Sequence, residues 1–106
     1  MLVKGNNAQA YEACAQIAVQ TNLQTAMAGL VAMQAWTGRH ALSRITPNTM
    51  ILWGNLDITY RWPLQNELCQ GIAAAKLHVF ADCAHAVHLE NPHLFNTTVI
   101  GFLISH

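Results

Sequence analysis

The chain has 106 residues, of which 53% are hydrophobic and only 9% are charged, and its formal net charge is zero. This length indicates one small domain or a piece of a larger one, and the apolar fraction argues against intrinsic disorder. Because the chain has no basic run, nucleic acid is a poor match as a partner. Charged residues make up about 25% of an average soluble domain, so we expect other protein to cover part of this surface.

The cysteines and the N-terminal region bear on the compartment. Three widely spaced cysteines, an odd number, favour free thiols in a reducing compartment over a disulfide framework. The first residues lack the long apolar core of a signal peptide. Residues 13–38 carry no charge, but polar side chains such as Gln16, Gln20 and Asn22 interrupt them and leave too short an apolar stretch to span a bilayer. We therefore predict a cytoplasmic protein without a membrane segment.

Apolar periodicity predicts two helices in the first forty residues. The first extends from Ala8 to about Gln20, and the second extends roughly from Leu23 to Trp36. Neither helix has much charge on its outer face. We therefore expect both helices to pack on other protein.

After a break at residues 46–48, the pattern changes to strands that alternate with helices. The continuous apolar run 49–53 is typical of a strand that is buried on both faces. A helix over about 63–72 and a strand over 76–80 follow, and the last helix begins near Pro92, with Asn91 as its cap. This order predicts a βαβ unit and an α/β fold. Two parallel strands are too few for an independent sheet, which indicates a fragment.

Two side chains capable of proton-transfer chemistry follow the two predicted strands. Asp57 comes directly after the first strand, and His85 lies in the segment after the second. The carboxyl ends of parallel strands meet at one sheet edge, which is where open α/β sheets place their ligands. A carboxylate that accepts a hydrogen bond from one imidazole nitrogen fixes the tautomer and leaves the other nitrogen as a general base. The sequence thus predicts two of the three members of a catalytic triad.

Other interpretations of these residues stay open at this point. An ordinary loop histidine and an ordinary turn aspartate are the simplest alternatives, and His88 competes with His85 as the base. Cysteine and histidine side chains also occur together between residues 83 and 93, but their spacing fits no standard zinc pattern. We therefore predict no metal and no cofactor. We expect Glu90 to interact with the first turn of the last helix.

Several segments together resemble the C-terminal part of the α/β-hydrolase family, and most closely its lactonase-, esterase- and C–C-hydrolase-like members. The resemblance is carried by Ile51–Asp57, Leu77–Phe80, Ala84-His85, Glu90, Pro92, Phe95-Asn96 and Phe102-Leu103. It covers about residues 41–106, and more weakly the helices before them. It implies a helical cap-to-core connection over 1–40 and a C-terminal core segment of the hydrolase parallel sheet over 41–106.

The resemblance also implies roles for the two predicted site residues. Asp57 takes the position of the triad acid and His85 that of the triad base, in the chain order of the family. The spacing to Glu90 and Pro92 favours His85 over His88. The implied reaction is hydrolysis of an ester, a lactone or a similar small carbonyl substrate.

The chain departs from the family pattern in ways that affect activity. Ala84 precedes His85 where the family has glycine, and Pro47 lies one residue earlier than the usual proline. No Gly-x-Ser-x-Gly occurs, and neither Ser43 nor Ser105 lies on a strand-to-helix turn. An acid and a base without a nucleophile cannot perform acyl transfer, so we predict that this chain alone is inactive.

Two kinds of partner follow from these departures. A missing N-terminal half, or self-association, is expected to cover the edge of the sheet. The alternative to an enzyme segment is a non-catalytic remnant, or a docking module that a partner chain completes.

Overall fold

A computed structural model describes residues 7–105, which form helices around a small parallel sheet. In chain order the elements are α1 (Ala8–Ala18), α2 (Leu23–Ala35), a 3₁₀ helix (Arg39–Arg44), β1 (Thr49–Gly54), α3 (Trp62–Gly71), β2 (Ala75–Phe80), α4 (Val87–Glu90) and α5 (Pro92–Ser105). The predicted α/β fold class and the order of the main elements are confirmed. The 3₁₀ helix and the single turn of α4 were not predicted, because both are too short to show a clear apolar period.

The sheet consists of β1 and β2, which pair in parallel within the described part of the chain. Thr49 lies opposite Ala75, and Gly54 lies opposite Phe80, so both strands end at the same edge. Helix α3 connects them and completes the predicted βαβ unit. This topology places the segments that follow β1 and β2 side by side.

Neighbouring residues of a strand point to opposite faces of the sheet, so Leu52 and Trp53 have different neighbours. Leu52 and Phe95 of α5 each pack against the cluster that contains Phe80. The next residue, Trp53, contacts Trp62 at the start of α3, with ring centroids 5.9 Å apart. Helix α3 thus packs against both strands, whereas α5 contributes Phe95 to the core.

The core is small and lies beneath the end of β2. Phe80 is fully buried, and Cys83 and Val87 pack around it. A second small cluster joins Ala10 of α1 to Ala86 just before α4. Helix α1 thus lies against the segment that carries His85.

The division of the chain at residue 40 stays a prediction.

The apolar faces of α2 and α5 are largely uncovered, and neither helix contains a buried residue. Leu30 in α2 is 54% exposed and Leu103 in α5 is 66% exposed. In α5, Phe95 packs on the core while Leu103 does not. The prediction that other protein covers these faces remains a prediction.

Asparagine side chains begin three of the helices. The Oδ1 atom of Asn7 accepts the N–H of Ala10, and that of Asn22 accepts the N–H of Thr25. The predicted cap at Asn91 is confirmed by a 3.2 Å hydrogen bond from the N–H of Leu94. Among residues 7–105, no helix is both long enough and apolar enough to cross a lipid bilayer.

Gly54 permits the close approach of the segments after the two strands. A Cβ atom at this position would lie 2.0 Å from the carbonyl oxygen of Ala84 and 2.4 Å from that of Cys83. Such distances are far inside van der Waals contact, and both neighbours are backbone atoms. Only glycine therefore fits at the end of β1 without displacing the chain that leads to His85.

We expect Gly54→Ala to lower the free energy of unfolding by about 1–3 kcal/mol, because the backbone after β2 must shift. Gly29→Ala in the exposed middle of α2 is the matched control, since a Cβ there meets no atom within 4 Å. The control should raise stability by roughly 0.5–1 kcal/mol through helix propensity. Urea unfolding of the three proteins measures both effects. Equal stability of the two variants would contradict the steric role of Gly54.

Candidate active site

The site is built from the two segments that follow the strands, which we name the acid loop (residues 55–61) and the histidine loop (residues 81–86). Backbone hydrogen bonds join them directly. The N–H of Asn55 donates to the carbonyl of Phe80 over 3.2 Å, and the N–H of Leu56 donates to that of Cys83 over 2.8 Å. The loops thus continue the contact between β1 and β2 beyond the end of the sheet.

A side chain adds a third link between the two loops. The Oδ1 atom of Asn55 accepts the N–H of Asp82 over 2.9 Å. Asp82 has a φ of 62°, in the left-handed region that aspartate tolerates better than most residues. This turn redirects the chain immediately after β2. The histidine loop is therefore fixed against the acid loop before it reaches His85.

Asp57 is a buried carboxylate with three hydrogen-bond partners. The residue is only 5% exposed. Its Oδ1 atom accepts the N–H of Thr59 over 2.9 Å and that of Tyr60 over 3.2 Å. Its Oδ2 atom lies 2.8 Å from Nδ1 of His85. Because two backbone donors occupy one oxygen, the other oxygen is held toward the imidazole.

These partners decide the charge state of the carboxyl group. Burial by itself raises the pKa of Asp57, because it disfavours the charged form. Hydrogen bonds from His85, Tyr60 and Thr59, together with the charge interaction with His85, outweigh burial. The pKa of Asp57 therefore lies below its ordinary value, and the group is a carboxylate at neutral pH.

His85 offers its second ring nitrogen to the surroundings. Its side chain is 41% exposed, compared with 4% for that of Asp57. With Asp57 acting as acceptor, the neutral imidazole carries its proton on Nδ1 and leaves Nε2 unprotonated. The structure thus brings together the two residues that the sequence predicted, in the arrangement of a carboxylate that orients a base. Their catalytic roles stay a prediction.

The neighbouring candidates occupy other positions. The ring of His88 contacts that of Phe95, with centroids 5.9 Å apart, so it packs near the start of α5. The Oε2 atom of Glu90 accepts the N–H of Ala84 over 2.9 Å, a contact that the sequence did not predict. The expected interaction of Glu90 with the first turn of α5 stays a prediction. Within residues 7–105, no three histidine, cysteine or acidic side chains are grouped to hold a metal ion.

An open pocket of about 490 Å³ lies beside the Asp57–His85 pair. Most of its wall is apolar, with contributions from Trp36, Leu42, Trp53, Leu64 and Leu68. The part played by residues 36–42 was not predicted, because no motif in the sequence points to them. At the rim of the pocket, the guanidinium of Arg39 pairs with the carboxylate of Glu67.

Neither serine of the chain lies at this pocket. Ser43 belongs to the 3₁₀ helix, and the hydroxyl of Ser105 donates to the carbonyl of Gly101 within α5. The described residues around the pocket include Asp57 and His85 but no serine or cysteine. With Asp57 and His85, these residues can orient an imidazole and accept a proton on it.

Known proteins resemble the chain both in sequence and in structure. It is 37% identical over 62 residues to the 2-hydroxy-6-oxononadienedioate/2-hydroxy-6-oxononatrienedioate hydrolases of Escherichia coli O139:H28 and of strain K12. These matches cover 58% of this chain and 22% of each relative. No protein-family model matches the chain.

A solved structure extends the likeness to the fold. A candidate lipase from Acinetobacter baumannii superposes on 77% of this chain with a TM-score of 0.67 and 24% sequence identity. The chain is α/β-hydrolase-like and corresponds to part of that fold. It spans about a fifth of the length of the curated hydrolases and 29% of the candidate lipase. The α/β-hydrolase resemblance predicted from the sequence is thus confirmed.

The lowered pKa of Asp57 makes its contribution to stability depend on pH. A carboxyl group whose pKa falls on folding stabilises the protein above its unfolded-state pKa, and the effect is lost as the pH falls through the folded-state pKa. We therefore expect Asp57→Asn to be less stable than the wild type at about pH 5, and this difference to shrink as the pH falls below about 4.

Urea unfolding of both proteins at a series of pH values between about 5 and 2 measures the difference in free energy. Comparison with the variant cancels the contributions of the other carboxyl groups. A stability difference that stays constant over this range would show that Asp57 has the same pKa in the folded and the unfolded chain.

Proposed function

We propose that this chain supplies the acid and the base of a Ser-His-Asp triad in an α/β-hydrolase that acts on ester-, lactone- or similar carbonyl substrates. The observation that carries the proposal is the 2.8 Å contact between Nδ1 of His85 and Oδ2 of Asp57. The likeness to curated hydrolases over 62 residues supports a hydrolase. The nucleophile is expected on a segment outside this chain.

In this proposal His85 moves the proton and Asp57 orients His85. Nε2 of His85 removes the proton of the nucleophile as it attacks the substrate carbonyl, and later returns a proton to the leaving group. Asp57 stabilises the imidazolium that forms between these steps. Since the carboxylate has a lowered pKa, it keeps its charge throughout. The proton therefore stays on the imidazole.

The pocket suggests what surrounds the reacting carbonyl. Two tryptophans and several leucines line it, and His85 lies in the same wall. Its volume of about 490 Å³ falls in the range of small-molecule sites. We propose that the apolar part of the substrate binds here, with its carbonyl group directed toward His85.

A second candidate function is a non-catalytic docking module that a partner chain completes. It is favoured by the exposed apolar side chains of α2, of which Leu30 is 54% exposed and Met27 is 58% exposed. In either case the partner is expected to be the missing hydrolase segment or a second copy that covers the edge of β1. Activity of a completed hydrolase distinguishes the two functions.

We expect the chain by itself to hydrolyse an activated ester no faster than its His85→Ala variant does, because the described residues that line the pocket include no serine or cysteine. Initial rates with a p-nitrophenyl ester, at matched protein concentrations, test this expectation. Turnover in the wild type that disappears in His85→Ala would mean that a group within this chain acts as the nucleophile.

A chimera tests the roles of Asp57 and His85. A segment of this chain that contains both Asp57 and His85 replaces the corresponding residues of the similar Escherichia coli hydrolase. We expect the chimera to turn over the substrate of the parent enzyme, and expect His85→Ala to lower kcat at least about 10³-fold. Asp57→Asn should lower kcat by roughly 10²–10⁴-fold, because it no longer stabilises the imidazolium.

His88→Ala is the matched control in the same chimera, because His88 packs on Phe95 and is absent from the wall of the pocket. It should retain most of the activity. A folded chimera whose kcat falls equally in the His85 and His88 variants would contradict the proposed base. A folded chimera without any activity would favour the docking module.

A further inference from the structure

We infer that Tyr60 is a positioning residue, whose ring holds the imidazole of His85 in the orientation that donates Nδ1–H to Asp57. The inference rests on the proposed function. It means that the acid loop supplies both the carboxylate of Asp57 and a ring that orients His85. Tyr60 was not singled out by sequence reasoning, since a lone tyrosine three residues after an aspartate carries no recognisable signal.

Tyr60 contacts both members of the pair. Its ring centroid lies 5.4 Å from that of His85, with an angle of 33° between the two planes. Its N–H donates to Oδ1 of Asp57 over 3.2 Å. One residue thus touches the imidazole through its side chain and the carboxylate through its backbone. A displacement of Tyr60 would change both contacts at once.

Tyr60 is itself fixed by two side chains from the sheet and from α3. Its carbonyl oxygen accepts the indole N–H of Trp53 over 2.8 Å and the amide N–H of Gln65 over 3.1 Å. Gln65 is only 7% exposed, and an amide buried to this degree is costly without a partner. The backbone of Tyr60 is therefore held to β1 and α3, independently of its own ring.

The ring compensates for the exposure of His85. The side chain of His85 is 41% exposed, so the histidine loop alone does not enclose the imidazole. An aromatic ring packed at 5.4 Å restricts rotation of the imidazole and keeps water from one of its sides. A hydrogen bond shielded from water is stronger than an exposed one. The ring of Tyr60 thereby keeps Nδ1 directed at Asp57.

The experiment is ¹⁵N and ¹H NMR of the His85 imidazole in the full chain, at a pH where the ring is neutral. We expect the wild type to show the tautomer protonated at Nδ1 and a low-field Nδ1–H signal. Tyr60→Leu should accelerate exchange of that proton with water roughly 2- to 12-fold, the factor that corresponds to loss of one aromatic contact.

Tyr60→Phe is the matched control, because it keeps the ring and should leave the Nδ1–H exchange rate unchanged. Both variants keep the backbone N–H of Tyr60, so they isolate the contribution of the ring. Should Tyr60→Leu fail to fold, Tyr60→Met provides an unbranched apolar replacement without a ring. Wild-type exchange in a folded Leu or Met variant would overturn the inference, even if that variant were less stable.

Asp57→Asn separates this inference from the proposed function. A Nδ1–H signal that is present in the wild type and lost in Asp57→Asn establishes the pair on which the proposed function depends. If that holds and Tyr60→Leu changes nothing, only the positioning role fails. If the wild type lacks the signal, or Asp57→Asn leaves it unchanged, the proposed pair fails and the role of Tyr60 fails with it.

Discussion

The parallel pairing of β1 with β2 is the constraint on which the rest of the structure depends. It ends both strands at one edge, with Gly54 opposite Phe80. Three hydrogen bonds then continue this contact into the acid loop and the histidine loop. Because Gly54 has no side chain, the carbonyl groups of the histidine loop approach β1 closely. Asp57 and His85, 28 residues apart in the chain, meet as a result.

The two members of the pair differ in their environments, and the difference suits the proposed chemistry. Asp57 is buried, yet it stays charged because two backbone N–H groups and the imidazole donate to it. His85 is held on one side and open on the other. A buried carboxylate without these donors would take up a proton, and its hydrogen bond with the imidazole would be weakened. The local fold of residues 57–60 thus keeps the carboxylate charged and directed at the imidazole.

The chain has a small core and few charged residues, so many of its apolar side chains lie at the surface. Phe80 is fully buried, whereas most of the large apolar side chains of α2 are exposed. A sheet with two strands cannot cover helices on both faces as a larger sheet does. The fold corresponds to 29% of the length of the candidate lipase.

The sequence by itself determined the element order, the α/β class and the identity of the two residues that meet. Continuous apolar runs, helical periodicity and the Asn91-Pro92 helix start are local signals, and local signals survive without knowledge of the tertiary structure. Only the tertiary structure decided the contacts that depend on distant segments. The ring of Tyr60 beside His85 and the pocket wall from residues 36–42 are of this kind. Both depend on the packing of side chains from separate parts of the chain, which local patterns in the sequence do not specify.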